Sequence, residues 1–213
     1  MSTTRNQLLK IATTLVKNHG FTREALSYSA LYLPGPAALQ QPLSEPAISA
    51  LFGTGDSARV TLINAWLDEG ILQMSNVPSP TFRHVLRARL EYNREVLGHL
   101  PEAFALLCSP EQGLPPLDPR PAIEHAAKIA NETCKITKDQ SIQLDWYARR
   151  ASLATIYIAA ELHQLKSPQT ANMFLDDLLD NSDRFGSVFR EAQVFSSYVF
   201  KSWDGILRSK GFW

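Results

Sequence analysis

Apolar residues recur along this chain at helical spacing, and the alternation that builds strands is nowhere sustained. Leu8, Leu9, Ile11, Ala12, Leu15 and Val16 share a face of a helix over 5–19. Gly20 ends it, and Thr22 is placed to cap a short helix through about Leu31. Pro34, Pro36, Pro42 and Pro46 then break the chain, so 32–44 is expected as loop with at most one short helical turn. Asp56 or Ser57 caps the next helix, which carries Val60, Ile63, Leu67 and Ile71 along one face as far as Met74. The segment RHVLRARLEYNREVLGHL sets Val85, Leu86, Leu90, Val96, Leu97 and Leu100 between charges and reads as one long amphipathic helix running into AFALLC.

A loop follows over 109–121, where five prolines gather. Helices are expected over about 121–136, 143–165, 168–183 and 187–208. The stretch DQSIQLDWYARRASLATIYIAAELHQL, residues 139–165, stands apart. Its first half is polar and aromatic, and from Ala151 to Leu162 only Ser152, Thr155 and Glu161 interrupt the apolar residues. A helix that is apolar all round belongs inside a bundle, which makes this one the expected central post. Facing helices of a bundle enclose ligand cavities where their side chains leave space.

Composition narrows the function classes. The 213 residues suit one soluble domain, with 45% apolar and 20% charged residues. Lys+Arg 21 balances Asp+Glu 21, so no net field draws the chain to nucleic acid. Cys108 and Cys134 are its only cysteines and form neither a CxxC pair nor a disulfide framework. No apolar run is long enough to span a bilayer. Arg5, Lys10, Lys17 and Arg23 precede the first acidic residue, Glu24, a pattern shared by organelle-targeting segments and ordinary first helices.

Catalytic signatures are lacking. Glu91, Glu95 and His99 would align on one face of a long helix, but the ExxH motif of carboxylate-bridged di-iron bundles does not occur. Glu161 with His163, and Glu124 with His125, diverge on a helix and make no site as isolated pairs. GTGD at 53–56 lacks the Lys-Ser/Thr of a phosphate loop, and no GxSxG elbow exists. No catalytic residue, metal site or cofactor is expected.

The segment DWYARRASLATIYIAAELHQL, followed by SPQTANMFLDDLLDN, resembles the signature of a known family. That family is the mitochondrial ubiquinone (coenzyme Q) biosynthesis lipid-binding accessory proteins, the ninth member of the coenzyme Q biosynthesis set. RARLEYNREVLGHLPEAFALLCSPEQGLPPL and HGFTREALSYSALYL agree with it. The resemblance runs from about residue 5 to 185, is specific around 141–165 and is weak from 32 to 75. It implies an all-α, tetracycline-repressor-like bundle with a degenerate N-terminal helix-turn-helix. On that basis 1–213 is one helical domain, with a helix-turn-helix-like part over 1–45 and a lipid-binding bundle with a C-terminal amphipathic helix over 46–213.

The resemblance further implies a non-catalytic protein, peripheral on the matrix side of the mitochondrial inner membrane. It would bind an isoprenoid lipid or quinone intermediate and present it to the membrane-bound di-iron hydroxylase of the biosynthetic complex. Leu86, Leu90, Leu153, Ile156, Tyr157 and Ala160 are the candidate lipid wall, the alternative being a dry core. Trp146, Tyr147, Arg149 and Arg150 match the family's partner-binding surface. The alternatives here are that Trp146 caps the core and that Asp145 starts the helix and pairs with Arg149. In the C-terminal stretch Phe195, Val199, Trp203 and Ile206 share a helical face and Phe212 and Trp213 end the chain. That face would meet a membrane or, as in repressors, a partner in a homodimer. The same fold class raises a ligand-sensing transcriptional regulator as the competing reading. Against it, no Lys or Arg occurs between Arg23 and Arg59, where a recognition helix needs them.

Overall fold

The computed structural model describes residues 2–35, 39–109 and 118–181. Among the described residues all regular structure is helical: α1 (Ser2–His19), α2 (Arg23–Tyr28), α3 (Glu45–Phe52), α4 (Asp56–Gln73), α5 (Phe82–Tyr92), α6 (Leu100–Cys108), α7 (Arg120–Ile136), α8 (Gln143–Lys166) and α9 (Ala171–Asn181), with short 3₁₀ turns between some of them. The all-α expectation is met there. Phe195, Val199, Trp203, Ile206, Phe212 and Trp213 lie outside the described residues, as does the whole expected helix over 187–208. Packing divides the chain into two units, residues 1–69 and 70–213.

In the first unit the apolar face of α1 is buried at Leu8, Ala12 and Val16. The end of α1 follows local rules. Gly20 takes φ 67 and donates its N–H to the Val16 carbonyl at 2.7 Å, the left-handed stop that glycine tolerates best. Thr22 is extended and its hydroxyl accepts from the Ala25 N–H, capping α2 as the sequence predicts. Phe21 meets Trp66 edge-on, with ring centroids 5.5 Å apart. Arg23 donates to Glu45 Oε2 at 2.6 and 2.8 Å, to Ser49 Oγ at 2.9 Å and to the Gly55 carbonyl at 3.0 Å. Arg59 donates to the Phe21 carbonyl and to Asp56. The two arginines that bracket the arginine-free stretch are thus tied to the unit's own backbone and carboxylates.

In the second unit α8 packs against α5, α7 and α9, which makes it the post around which these helices gather. Val85, Leu86 and Leu90 of α5, Ile129 of α7, Ile156 of α8 and Leu175 of α9 belong to one buried cluster. Arg83 and Arg87 of α5 pair with Asp176 and Asp180 of α9, fastening those two helices along their outer edge. Gly70 sits close under α5, where a Cβ would meet Tyr92 Cδ1 at 2.9 Å and Arg89 Cζ at 3.0 Å. Both cysteines are free and buried. Burial, with Asp118 nearby, pushes the Cys108 thiol up to about 12, and burial also raises Cys134.

One expected element is corrected. The long helix over 83–100 is broken: α5 ends at Tyr92, a 3₁₀ turn follows over Arg94–Val96, and α6 starts at Leu100. Two physical causes coincide. Asn93 is completely buried and its side chain is engaged by residues of α5 and α8, while Pro101 has no N–H to continue a helix from the residues before it and fits only in a first turn, here that of α6. Glu91, Glu95 and His99 therefore do not share a helix, and Glu91 accepts from Arg94 at 2.8 Å. Among the described residues no group of three His, Cys, Asp or Glu is arranged to hold a metal ion.

Candidate functional site

The connection from α7 to α8 shapes the polar half of the focal stretch. Lys138 adopts φ 54, its N–H donates to the Lys135 carbonyl at 3.1 Å, and the Asp139 N–H donates to the Cys134 carbonyl at 2.9 Å. This is a Schellman stop with lysine in the left-handed position that glycine usually fills. The stop turns the Asp139 carboxylate toward α8, where it lies 3.3 Å from Arg149 Nε and 3.7 Å from Arg150 Nη1. The Ser141 hydroxyl also donates to it. Ile142 is extended, Gln143 takes φ 52, and α8 begins.

Four of the next residues present apolar surface to solvent: Ile142 is 71% exposed, Leu144 79%, Trp146 38% and Tyr147 68%. Trp146 and Tyr147 meet edge-on with centroids 4.7 Å apart. The guanidinium carbon of Arg150 lies 3.9 Å from the Trp146 ring centroid, while its nitrogens donate to Asn131 Oδ1 and the Trp146 carbonyl, each at 3.2 Å. Arg149 sits over the Phe82 ring at 5.7 Å. Apolar side chains left in water do not stabilise the fold, and a cluster of them rimmed by arginine is the composition of a protein interface. The structure brings Trp146, Tyr147 and Arg150 together, while Arg149 turns toward Phe82 and is linked to Arg150 through their shared partner Asp139.

Leu86, Leu90, Leu153, Ile156, Tyr157 and Ala160 also come together, all within one cluster and none more than 5% exposed. A buried polar network, which the sequence reading did not assemble, lies across the same helices. Arg89 is completely buried and donates to Asn93 Oδ1. The Asn93 amide donates in turn to Glu161 Oε1 at 3.0 Å and Gln164 Oε1 at 3.1 Å. Tyr157 donates to Glu161 at 2.8 Å, and the Gln164 amide donates to the Leu90 carbonyl at 2.7 Å. His125 places Nε2 at 3.4 Å from Arg89 Nη2, a contact in which only an unprotonated Nε2 can accept.

Electrostatics agree with that geometry. Burial lowers the His125 pKa well below the ordinary histidine value, and the charges of Arg89 and Lys128 push the same way. Burial raises Glu161, opposed by Arg89 and by the hydrogen bonds from Tyr157 and Asn93. Groups that cost most to bury alone share hydrogen bonds here, Arg89 Nε being, among the described residues, the one atom of the network that makes none. A signal for the network existed in the register: Arg89 and Asn93 continue the buried positions of Val85, Leu86 and Leu90, and Tyr157, Glu161 and Gln164 follow each other at helical spacing.

Comparison with known proteins places these helices in context. The COQ9 family model matches residues 120–186, a span that includes α7, α8 and α9. The chain is 24% identical over 144 residues to the Schizosaccharomyces pombe protein "Ubiquinone biosynthesis protein coq9, mitochondrial", covering 65% of this chain and 55% of that protein. It is 27% identical over 185 residues to the Drosophila melanogaster COQ9 protein, covering 84% of this chain and 55% of the relative. With the Rattus norvegicus COQ9 protein it shares 27% identity over 207 residues, covering 89% of this chain and 62% of the relative. The matched part is thus between about half and two-thirds the length of these relatives.

Proposed function

We propose that this chain, similar to the COQ9 family over residues 120–186, is a member of that family and a non-catalytic accessory protein of mitochondrial ubiquinone biosynthesis. Its task is binding. The second unit holds an isoprenoid quinone intermediate, and the exposed end of α8 docks the membrane-bound di-iron hydroxylase that modifies it. The observation that carries this reading is the Trp146–Tyr147 pair, held outward with Ile142 and Leu144 at the start of the helix that the family signature marks. Aromatic and arginine side chains supply large contact area with directional donors, which is why they dominate binding hot spots.

The apolar cluster around Leu86, Leu90, Leu153, Ile156, Tyr157 and Ala160 supplies the surface against which a polyprenyl tail would be shielded. Such a ligand gains about 25 cal/mol per Å² of apolar area buried, before ordering costs. In this proposal the fold is tetracycline-repressor-like, with a helix-turn-helix over 1–45 that no longer reads DNA and a bundle over 46–213. The inward ties of Arg23 and Arg59 support the loss of DNA binding, since phosphate contacts need available cations. The C-terminal aromatic residues from Phe195 to Trp213 make peripheral contact with the matrix side of the inner membrane, and the protein works as a homodimer.

The test is association with the purified hydroxylase. Trp146→Ala or Tyr147→Ala should weaken it by about 2 kcal/mol, the truncation cost of a hot spot. A folded double variant that binds as well as the parent protein removes this face from the docking surface. Native mass spectrometry after lipid extraction addresses the ligand: an isoprenoid or quinone supports the proposal, and generic phospholipid alone contradicts it.

A further inference from the structure

We propose that Asp139 is the positioning residue of the Trp146–Tyr147 face and acts through Arg150; the inference rests on the reading of that face as a docking surface. Asp139 lies outside α8, yet its place is determined by the end of α7. The backbone bonds from Lys138 to Lys135 and from Asp139 to Cys134 determine where the Asp139 side chain leaves the chain. Its side chain is 8% exposed and its carboxylate faces three donors: the Ser141 hydroxyl, Arg149 Nε at 3.3 Å and Arg150 Nη1 at 3.7 Å.

Arg150 transmits that placement. An arginine side chain has several rotatable bonds and keeps one conformation only where several partners hold it. Here Asp139 attracts one edge of the guanidinium, Asn131 Oδ1 accepts from Nε at 3.2 Å, and the Trp146 carbonyl accepts from Nη1 at 3.2 Å. The group so held lies 3.9 Å from the centre of the Trp146 ring, and Tyr147 packs edge-on against that ring. The indole is exposed enough to meet a partner but is backed on one side by a cation whose position Asp139 sets. A docking face held in its bound form before contact spends less binding energy on ordering. Removing the carboxylate charge frees Arg150 to leave the ring and returns rotamer freedom to Trp146.

The experiment uses the full chain labelled with 5-fluorotryptophan, with the Trp146 resonance assigned through Trp146→Phe. Asp139→Asn keeps the shape and removes the charge. Arg150→Lys keeps a cation for Asp139 and removes the planar group over the indole. Both variants are expected to retain the parent circular dichroism and cooperative unfolding, to move or broaden the Trp146 fluorine signal, and to leave the Trp66 signal in place. Association with the purified hydroxylase should fall about tenfold in each, as for loss of preorganisation at a hot spot, and Asp139→Asn should cause no further loss in a Trp146→Ala background. If Asp139→Asn does not fold, Arg150→Lys carries the test. An unmoved Trp146 signal in the folded variants overturns the proposal. So does a moved signal with undiminished association while Trp146→Ala does weaken it. If Trp146→Ala itself binds normally, the docking reading fails, and the fluorine signal alone decides whether Asp139 positions the ring.

Discussion

Asn93 donates its side-chain amide to Glu161 across 3.0 Å, joining the end of α5 to the buried face of α8. Both residues lie in the interior, and between them they also engage Arg89, Tyr157 and Gln164. The network replaces what would otherwise be continuous apolar packing, so its stability depends on every member being present.

Asn93→Ala should therefore cost more than the volume it removes. It leaves Glu161 and Gln164 each short of a donor and Arg89 short of an acceptor in the interior. The expected loss is about 3 kcal/mol, read as a lower urea midpoint, because orphaned buried polar groups carry their full desolvation penalty. A loss under about 0.5 kcal/mol, the scale of an ordinary surface substitution, would show the network to be energetically idle.

His125 gives the protein an acid-sensitive element. Burial, Arg89 and Lys128 hold its folded pKa below the reference value of 6.5, so on acidification the unfolded chain takes up the proton first. Its contribution is fully present above the unfolded pKa and is lost as pH falls toward the folded one. Glu161 acts in the opposite sense, since its folded pKa is raised above 4.5 and proton uptake there favours the folded chain. His125→Gln should flatten the decline of the urea midpoint between about pH 7 and pH 5, the range below the ordinary histidine pKa. Identical slopes for parent and variant would exclude His125 as its source.

Gly70 is needed for close approach. A Cβ there would stand 2.9 Å from Tyr92 Cδ1 and 3.0 Å from Arg89 Cζ, and Arg89 is anchored in the buried network. Gly70→Ala should destabilise by about 1–3 kcal/mol through overpacking, although alanine is the better helix former. Thermal unfolding decides it: a raised Tm would mean that Tyr92 and Arg89 yield at little cost.

Lys138 offers the converse case. It holds φ 54 at the left-handed stop of α7, is exposed, and pays the steric cost of a side chain in that region. Lys138→Gly should stabilise by about 0.5–1 kcal/mol, the difference between an ordinary residue and glycine in that conformation. It should also leave the Trp146 fluorine signal unchanged, because the Asp139 and Lys138 backbone bonds persist. An unaltered or lower Tm would show that the greater freedom of glycine in the unfolded chain cancels the relief.

Helix positions, most helix ends and the interior course of α8 were determined by the sequence itself, because spacing, caps and prolines act over a few residues. Gly20 and Thr22 behave as their local chemistry requires, and Ile156, Tyr157, Ala159 and Ala160 are buried as an apolar run should be. Tertiary structure decided what depends on partners far along the chain. The helix predicted over 83–100 breaks at Asn93 because Glu161 and Gln164, some seventy positions away, engage its side chain. Arg89 and His125 become one network only when α5, α7 and α8 are brought together. Periodicity alone left Trp146 with two readings, a core cap or an outward face. Its half-exposed ring under Arg150, itself held by Asp139 across the α7–α8 turn, is a three-dimensional outcome: ion pairs and ring contacts depend on distance in space, which helical spacing does not encode between elements.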